Sequence, residues 1–435
     1  MQHRRSQFCV ALVILCMFHI PALRATPSDT MKVWRDSLIR AANTLNANGR
    51  LLDATRAFLL AGADTGSAVE RFGLGITYAS LNDVQRALKY LRQAVVLDST
   101  NVNYRFQLAR FLAQSGALKE GQAEYEVIVQ QDSTYIPALT ALGQLYSEPD
   151  TYEMAAEIYH RVLAINPDDF LSHYYLANIM VGLMNPDTAA ICLNTALRLN
   201  PNFVPALNVL ASIHYAKKRF YEALSLYQRA AALRPNNAEF KNKVGLCYRN
   251  LDDYRSAINA FRRAVELDSL SASYFGNLGH SYYWLAMYDF SVTAYKHAIA
   301  LDNENSIYYL NLALAYQRLD SIQAAANAYR MAIWTYHPET VLDLQVKLGS
   351  VYFLGKDYRN AIETYQTVLR TNPEVRDAQF YLASAYDNLS DYTSAIQNYS
   401  KYLKLAENVS TEGERIAWTR TRLKALDYLQ SVRKK

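Results

Sequence analysis

Few side chains in this sequence are arranged for chemistry. The histidines His160, His173, His214, His280, His297 and His337 stand apart, and no His-Glu-x-x-His pair offers two ligands to one metal ion. His160 and His173 flank a turn, but no third ligand accompanies them. No Gly-x-x-x-x-Gly-Lys-Ser/Thr loop cradles phosphate, and no Gly-x-Ser-x-Gly elbow presents a nucleophile. Asp168-Asp169 follows Pro167 and reads as a turn with a helix N-cap. No cofactor or metal is expected, and the chain is expected not to be an enzyme. What remains is a mixture of cations and rings: Arg249, then His280, Tyr283 and Trp284, then Arg318. Such groups suit an anionic, partly apolar ligand, such as a peptide with an acidic residue or a free carboxylate. Trp and Arg are also the residue types that dominate interface energetics. Whether these side chains meet depends on the elements that carry them.

Those elements repeat. The pairs Leu74-Gly75, Leu108-Ala109, Leu142-Gly143, Leu176-Ala177, Leu210-Ala211, Val244-Gly245, Leu278-Gly279 and Leu312-Ala313 recur every 34 residues without a slip. Leu348-Gly349 follows after 36 residues and Leu382-Ala383 after another 34. Twelve residues past each Gly or Ala comes a further small residue, as in Ala155 or Ala257, and four later a ring or leucine, as in Tyr159 or Phe261. The i, i+3, i+4, i+7 spacing within each copy is that of an apolar helical stripe. The Gly or Ala lets a second helix approach, and the ring fills the gap beside it. No single copy buries its own apolar face, so neighbours must stack. Low Gly and Pro with many Ala, Leu and Tyr point to the same all-α class.

This pattern resembles the tetratricopeptide repeat, or TPR, a 34-residue helix–turn–helix. The resemblance covers ten repeats: 68–101, 102–135, 136–169, 170–203, 204–237, 238–271, 272–305, 306–341, 342–375 and 376–408. Ser or Asn replaces the closing Pro at Ser99, Ser133, Ser269 and Asn303. The family implies a right-handed superhelical solenoid whose first helices line a concave face. It also implies that positions 2, 5, 9, 12 and 13 of each repeat point into that groove. On that mapping Tyr174, Asn178, Asn208, Tyr215, Asn242, Arg249, His280, Tyr283, Trp284, Gln317 and Arg318 are the candidate ligand-contacting residues. The asparagines offer amide donors and acceptors that match a peptide backbone; a role in bonding helix to helix stays open beside that. Position 5 holds no Lys in any copy, so the two-carboxylate clamp of cytosolic co-chaperones is not expected. Most of the 34 tyrosines occupy packing positions and need no function.

The ends differ from the repeats. Arg4 and Arg5 precede an apolar run from Phe8 to Ile20, and Ala25 follows, so residues 1–25 read as a secretory signal peptide. A lipid anchor through Cys16 and a retained anchor are the alternatives. Residues 26–67 form a degenerate N-terminal repeat or cap, and residues 409–435 a basic C-terminal capping helix. Loss of Arg4, Arg5 and Arg24 takes the net charge from +5 to +2, which gives no case for nucleic acid. Cys192 and Cys247 lie two repeats apart, too far for a disulfide, and read as small buried hydrophobes. Asn388, Asn398 and Asn408 match the glycosylation acceptor pattern. The expected protein is an exported, periplasmic or secreted scaffold that binds protein or peptide partners. An accessory subunit of an envelope glycan or secretion machine is the alternative, and self-association is a further expectation.

Overall fold

The computed structural model describes residues 27–64, 66–146, 148–335, 341–407 and 409–433. The signal-peptide reading of residues 1–25, His337 and Asn408 lie outside the described residues. Within them the chain is 23 α-helices with no strand. It divides into two compact units that meet between Pro201 and Asn202.

The first unit opens with α1 (Pro27–Ala47) and α2 (Leu51–Leu60). Four helix pairs follow: α3 (Ala68–Ser80) with α4 (Val84–Leu97), and α5 (Val102–Gln114) with α6 (Leu118–Gln131). Then come α7 (Ile136–Leu145) with α8 (Tyr152–Ile165), and α9 (Phe170–Gly182) with α10 (Pro186–Leu199). The second unit holds α11 (Val204–Ala216) with α12 (Phe220–Leu233), α13 (Ala238–Asn250) with α14 (Tyr254–Leu267), and α15 (Ala272–Trp284) with α16 (Tyr288–Leu301). It continues with α17 (Ser306–Arg318) and α18 (Ile322–Thr335), α19 (Val341–Leu354) and α20 (Tyr358–Thr371), and α21 (Arg376–Asn388) and α22 (Tyr392–Ala406). A final long helix, α23 (Gly413–Arg433), ends it. Each helix packs on the next within its unit, and in the second unit successive first helices also touch, as α13 does α15 and α15 does α17.

The close approach expected of each pair is present. A Cβ on Gly143 would lie 2.7 Å from the Tyr159 ring, and one on Gly245 would lie 2.6 Å from the Phe261 ring. The rings themselves are among the most buried side chains: Tyr159, Tyr295, Tyr329, Tyr365 and Tyr399 are fully enclosed, as is Phe261. Burial drives the phenols of Tyr295, Tyr329 and Tyr365 well above the ordinary tyrosine value, and that of Tyr399 to about 12. Several of these hydroxyls bond a partner on the paired helix, as Tyr329 Oη does in donating to Gln317 Oε1 at 2.7 Å.

Short polar residues start many of the helices. Asp253 Oδ1 accepts from the Ser256 N–H at 3.0 Å, and Asn237 Oδ1 from the Phe240 N–H at 2.9 Å. Between the two helices of a pair one residue adopts the left-handed conformation. It is Asn82, Gly116, Met184, Lys218, Asp252, Ala286, Asp320, Lys356 or Ser390, with φ from 52° to 91°. The third repeat departs from this. Elsewhere the residue before the left-handed one donates its N–H back into the helix, as Leu183 does to Ile179 O at 2.8 Å. Pro149 stands at that place and has no N–H to give. Helix α7 accordingly stops at Leu145, and a 3-10 turn at Pro149–Thr151 makes the connection.

Helix α23 docks as another first helix. Its Leu426 is fully buried against Ala383, Ala395 and Tyr399. Arg422 grips the Asp387 carboxylate with both Nε and Nη2, at 2.7 and 2.8 Å. Arg415 lies over the Phe380 ring at 4.9 Å and bonds Asp377. The basic residues of this helix are thus partly committed to holding it in place.

Two stability changes follow. Gly245→Val forces methyl groups into the Phe261 ring and is expected to destabilise by about 1–3 kcal/mol in chemical denaturation, with helical content retained at low denaturant. Ala286 sits at φ 58°, where an L-residue costs about 1–2 kcal/mol and a glycine does not. Ala286→Gly loses about 0.4–1 kcal/mol through the unfolded chain, so a net gain of up to about 1 kcal/mol is expected in the same assay.

Candidate ligand-binding face

The candidate residues lie on the first helices of both units, and the structure joins many of them to one another. In the first unit, Tyr174 packs beside Tyr175 with ring centroids 5.6 Å apart, and half-buried Asn178 sits one turn further along α9. In the second unit a bonding rule emerges between neighbouring first helices, linking residue i to i+35. Lys243 Nζ donates to Asn208 Oδ1 at 2.9 Å, and Asn250 Nδ2 to Tyr215 Oη at 2.8 Å. Asn277 Nδ2 donates to Asn242 Oδ1 at 3.0 Å, and Arg318 Nε to Tyr283 Oη at 3.2 Å. The Arg422–Asp387 pair of the terminal helix repeats the same offset. Asn208 and Asn242 therefore bond helix to helix, and only part of their hydrogen-bonding capacity is left for a ligand.

Arg249, His280, Tyr283, Trp284 and Arg318 do come together, on α13, α15 and α17. Arg249 Nη1 donates to Asn277 Oδ1 at 2.8 Å, which holds the guanidinium beside His280. Trp284 is 58% exposed at the end of α15. One face of its indole stacks on Tyr254, 5.9 Å between centroids and 11° between planes. Its Nε1–H donates to His280 Nε2 at 3.1 Å. A ring that accepts at Nε2 carries its proton on Nδ1, so His280 is held neutral in that tautomer. His280 Nδ1 is buried and has no hydrogen-bond partner. Burial first, and the Arg249 charge second, push the His280 pKa below its usual 6.5. Exposed Arg318 lies 6.0 Å over the Tyr283 ring, and Tyr283 meets Trp284 edge to face. The assembly offers an open indole and a cation on each side. A carboxylate answers the cations, and an apolar group covers the indole.

Sequence reasoning did not find Lys243 as a partner of this face. Its signal was present: it stands 35 residues after an asparagine on the preceding first helix. Phe353 and Phe380 are likewise enclosed by other rings, Phe353 by Tyr358 and Tyr381 and Phe380 by Tyr402 and Trp418. His214 is half-buried, and burial lowers its pKa as well. His173 is turned away from His160 to bond Pro167 O at 2.9 Å. Cys192 and Cys247 are free and buried, and enclosure raises the Cys247 thiol to about 12. Among the described residues no cluster of three or more His, Cys, Asp or Glu is placed to hold a metal. No helix there is long and apolar enough to cross a membrane.

The His280 shift carries a pH dependence. Its folded-state pKa lies below 6.5, so between that value and 6.5 the unfolded chain binds the proton more readily. The stability contributed is complete above pH 6.5 and falls as pH drops below it, until the folded ring protonates. His280→Gln is expected to reduce the slope of denaturation midpoint against pH over that acidic window. In the wild type, Trp284 emission should change as its acceptor is protonated.

Sequence models of the tetratricopeptide repeat match residues 72–136, 138–170, 181–238, 238–269 and 347–409, together more than half of the chain. A human relative, protein O-mannosyl-transferase TMTC1, is 24% identical over 175 residues, 39% of this chain and 20% of that protein. A DnaJ subfamily C member 7 homologue of Schizosaccharomyces pombe is 23% identical over 183 residues, 38% of each chain. The chain thus spans well under half the length of these two relatives. Among solved structures, YrrB, described as a TPR protein with an unusual peptide-binding site, is 18% identical. The match covers 43% of this chain and 96% of that one, with a TM-score of 0.39. The internal repeats, the helix pairs and the family models agree: the chain belongs to the tetratricopeptide-repeat family.

Proposed function

We propose that this protein is a non-enzymatic scaffold, exported from the cytoplasm, that holds peptide segments of partner proteins against its first helices. The fold supports the coarse reading, because tetratricopeptide repeats are interaction modules in general. The observation that carries the finer one is the environment of Trp284. An indole 58% exposed, ordered by stacking and by a bond to His280, is a rigid anchor that loses little entropy on contact. Arg249 and Arg318 on the flanking helices favour an acidic or carboxylate-bearing segment there. The basic, apolar leader of residues 1–25 supports export, and with it a partner in the envelope or secretory space.

The test is capture from native envelope extract. Arg249 is left intact because it anchors Asn277, so the variant combines Trp284→Ala with Arg318→Glu. This variant is expected to keep its helical circular dichroism and to lose at least one partner that the wild-type chain retains. Identical captured sets would refute the assignment to this face.

A further inference from the structure

The second helices carry clefts of their own, separate from the Trp284 face. One, of ≈ 480 Å³, lies between α12, α13 and α14. Another, of ≈ 740 Å³, lies between α20, α21 and α22. They occupy the same repeat positions four repeats apart. Gln228 Nε2 donates to Tyr248 Oη at 2.8 Å at the edge of the first, and Gln366 Nε2 to Tyr386 Oη at 2.8 Å at the edge of the second. The scaffold is shared, and the charge is not.

Two cations line the first cleft, Lys241 and Arg263, and Arg263 is neutralised on its own helix by Glu266, at 2.8 Å. The corresponding residues of the second cleft are Lys401 and Lys404. An ion pair has become two cations three residues apart, an arrangement that destabilises a helix. Arg370 adds a third, at the position where the first cleft has Ala232. Among the described residues none of the three makes an ion pair, and the lining holds no acid. Amides complete the surface. Gln379, only 5% exposed, donates to Asn398 Oδ1 at 2.7 Å and thereby fixes the cleft floor, and Gln397 lines it beside them. Leu369, Leu382 and Leu405 supply apolar contact.

We propose that this cleft is a second binding site, for an acidic peptide segment, on a face distinct from the one that carries Trp284. Three unpaired cations call for carboxylates, which would relieve their mutual repulsion. Amides that donate and accept match a peptide backbone, and the leucines match apolar side chains between the acids. The cleft, of ≈ 740 Å³, is an open groove, a shape that admits an extended segment laid across the helices. The protein would then hold two acidic segments at once, at separate places along its second unit.

The probe is a fluorescein-labelled peptide of Glu, Leu and Ser, with a Gln-for-Glu counterpart and dextran sulfate as controls. Binding to the full chain is read by fluorescence anisotropy. In the Trp284→Ala/Arg318→Glu background, where the face proposed above no longer takes the probe, Arg370→Glu/Lys401→Glu/Lys404→Glu is expected to weaken peptide binding at least about tenfold. Arg110→Glu/Lys119→Glu/Arg198→Glu makes the same change of net charge in the first unit and is expected to leave binding within about twofold. Trp284→Ala with Arg318→Glu should leave the probe affinity of the cleft unchanged, which separates this site from the one proposed above. Circular dichroism verifies each fold. If the triple Glu variant is misfolded, Arg370→Gln/Lys401→Gln/Lys404→Gln gives the reading. Equal weakening by both charge reversals, or equal binding of the Gln counterpart, overturns the proposal. Dextran sulfate binding without peptide binding overturns it in favour of a polyanionic glycan.

Discussion

The contact on which the rest of this structure depends is that between a Gly or Ala on one helix and an aromatic ring or leucine on its partner. It sets how closely the two helices of a repeat lie, as at Gly143 with Tyr159 and Gly245 with Phe261. Close packing leaves little room for variation there, since interiors are as dense as organic crystals. With that spacing set, the turn must reverse direction in few residues, and a left-handed residue at one place in nine of the ten repeats accomplishes it. The exception shows the constraint acting. A proline at the preceding position removes the N–H that closes the helix, and the connection is rebuilt as a 3-10 turn.

Stacking then brings side chains from successive first helices into line, and they bond to each other at a common offset. This consumes much of the polar surface that a ligand would use. Lys243 with Asn208, and Arg249 with Asn277 and Asn242, are ladders across helices as much as they are candidate contacts. What stays available is uneven: the open indole of Trp284 in one place, and the unpaired cations around Lys401 in another. Function in a repeat protein is read from such departures, because the repeated features are already explained by packing.

The fold was legible because its determinants are local and periodic. A 34-residue recurrence of a small residue, a ring at fixed distance and, before many of the helices, an Asp or Asn is visible without any knowledge of contacts. The terminal helix was legible as a helix, but its seat was not. Only the structure shows Arg422 reaching back 35 residues to Asp387 and so docking α23 in the register of a first helix.

By itself, then, the sequence determined the class, the number and spacing of helix pairs, and which residues share a stripe. These follow from the 3.6-residue period of the helix and from side-chain volume, both properties of residues taken a few at a time. Tertiary structure decided which of the candidate polar side chains are already bonded. It also decided that His280 is a neutral, half-enclosed ring and that one cleft carries like charges where its counterpart carries an ion pair. Those outcomes depend on which side chains meet across helices some 35 residues apart. Hydrogen-bond partnership and desolvation are settled by that meeting, and not by residue type.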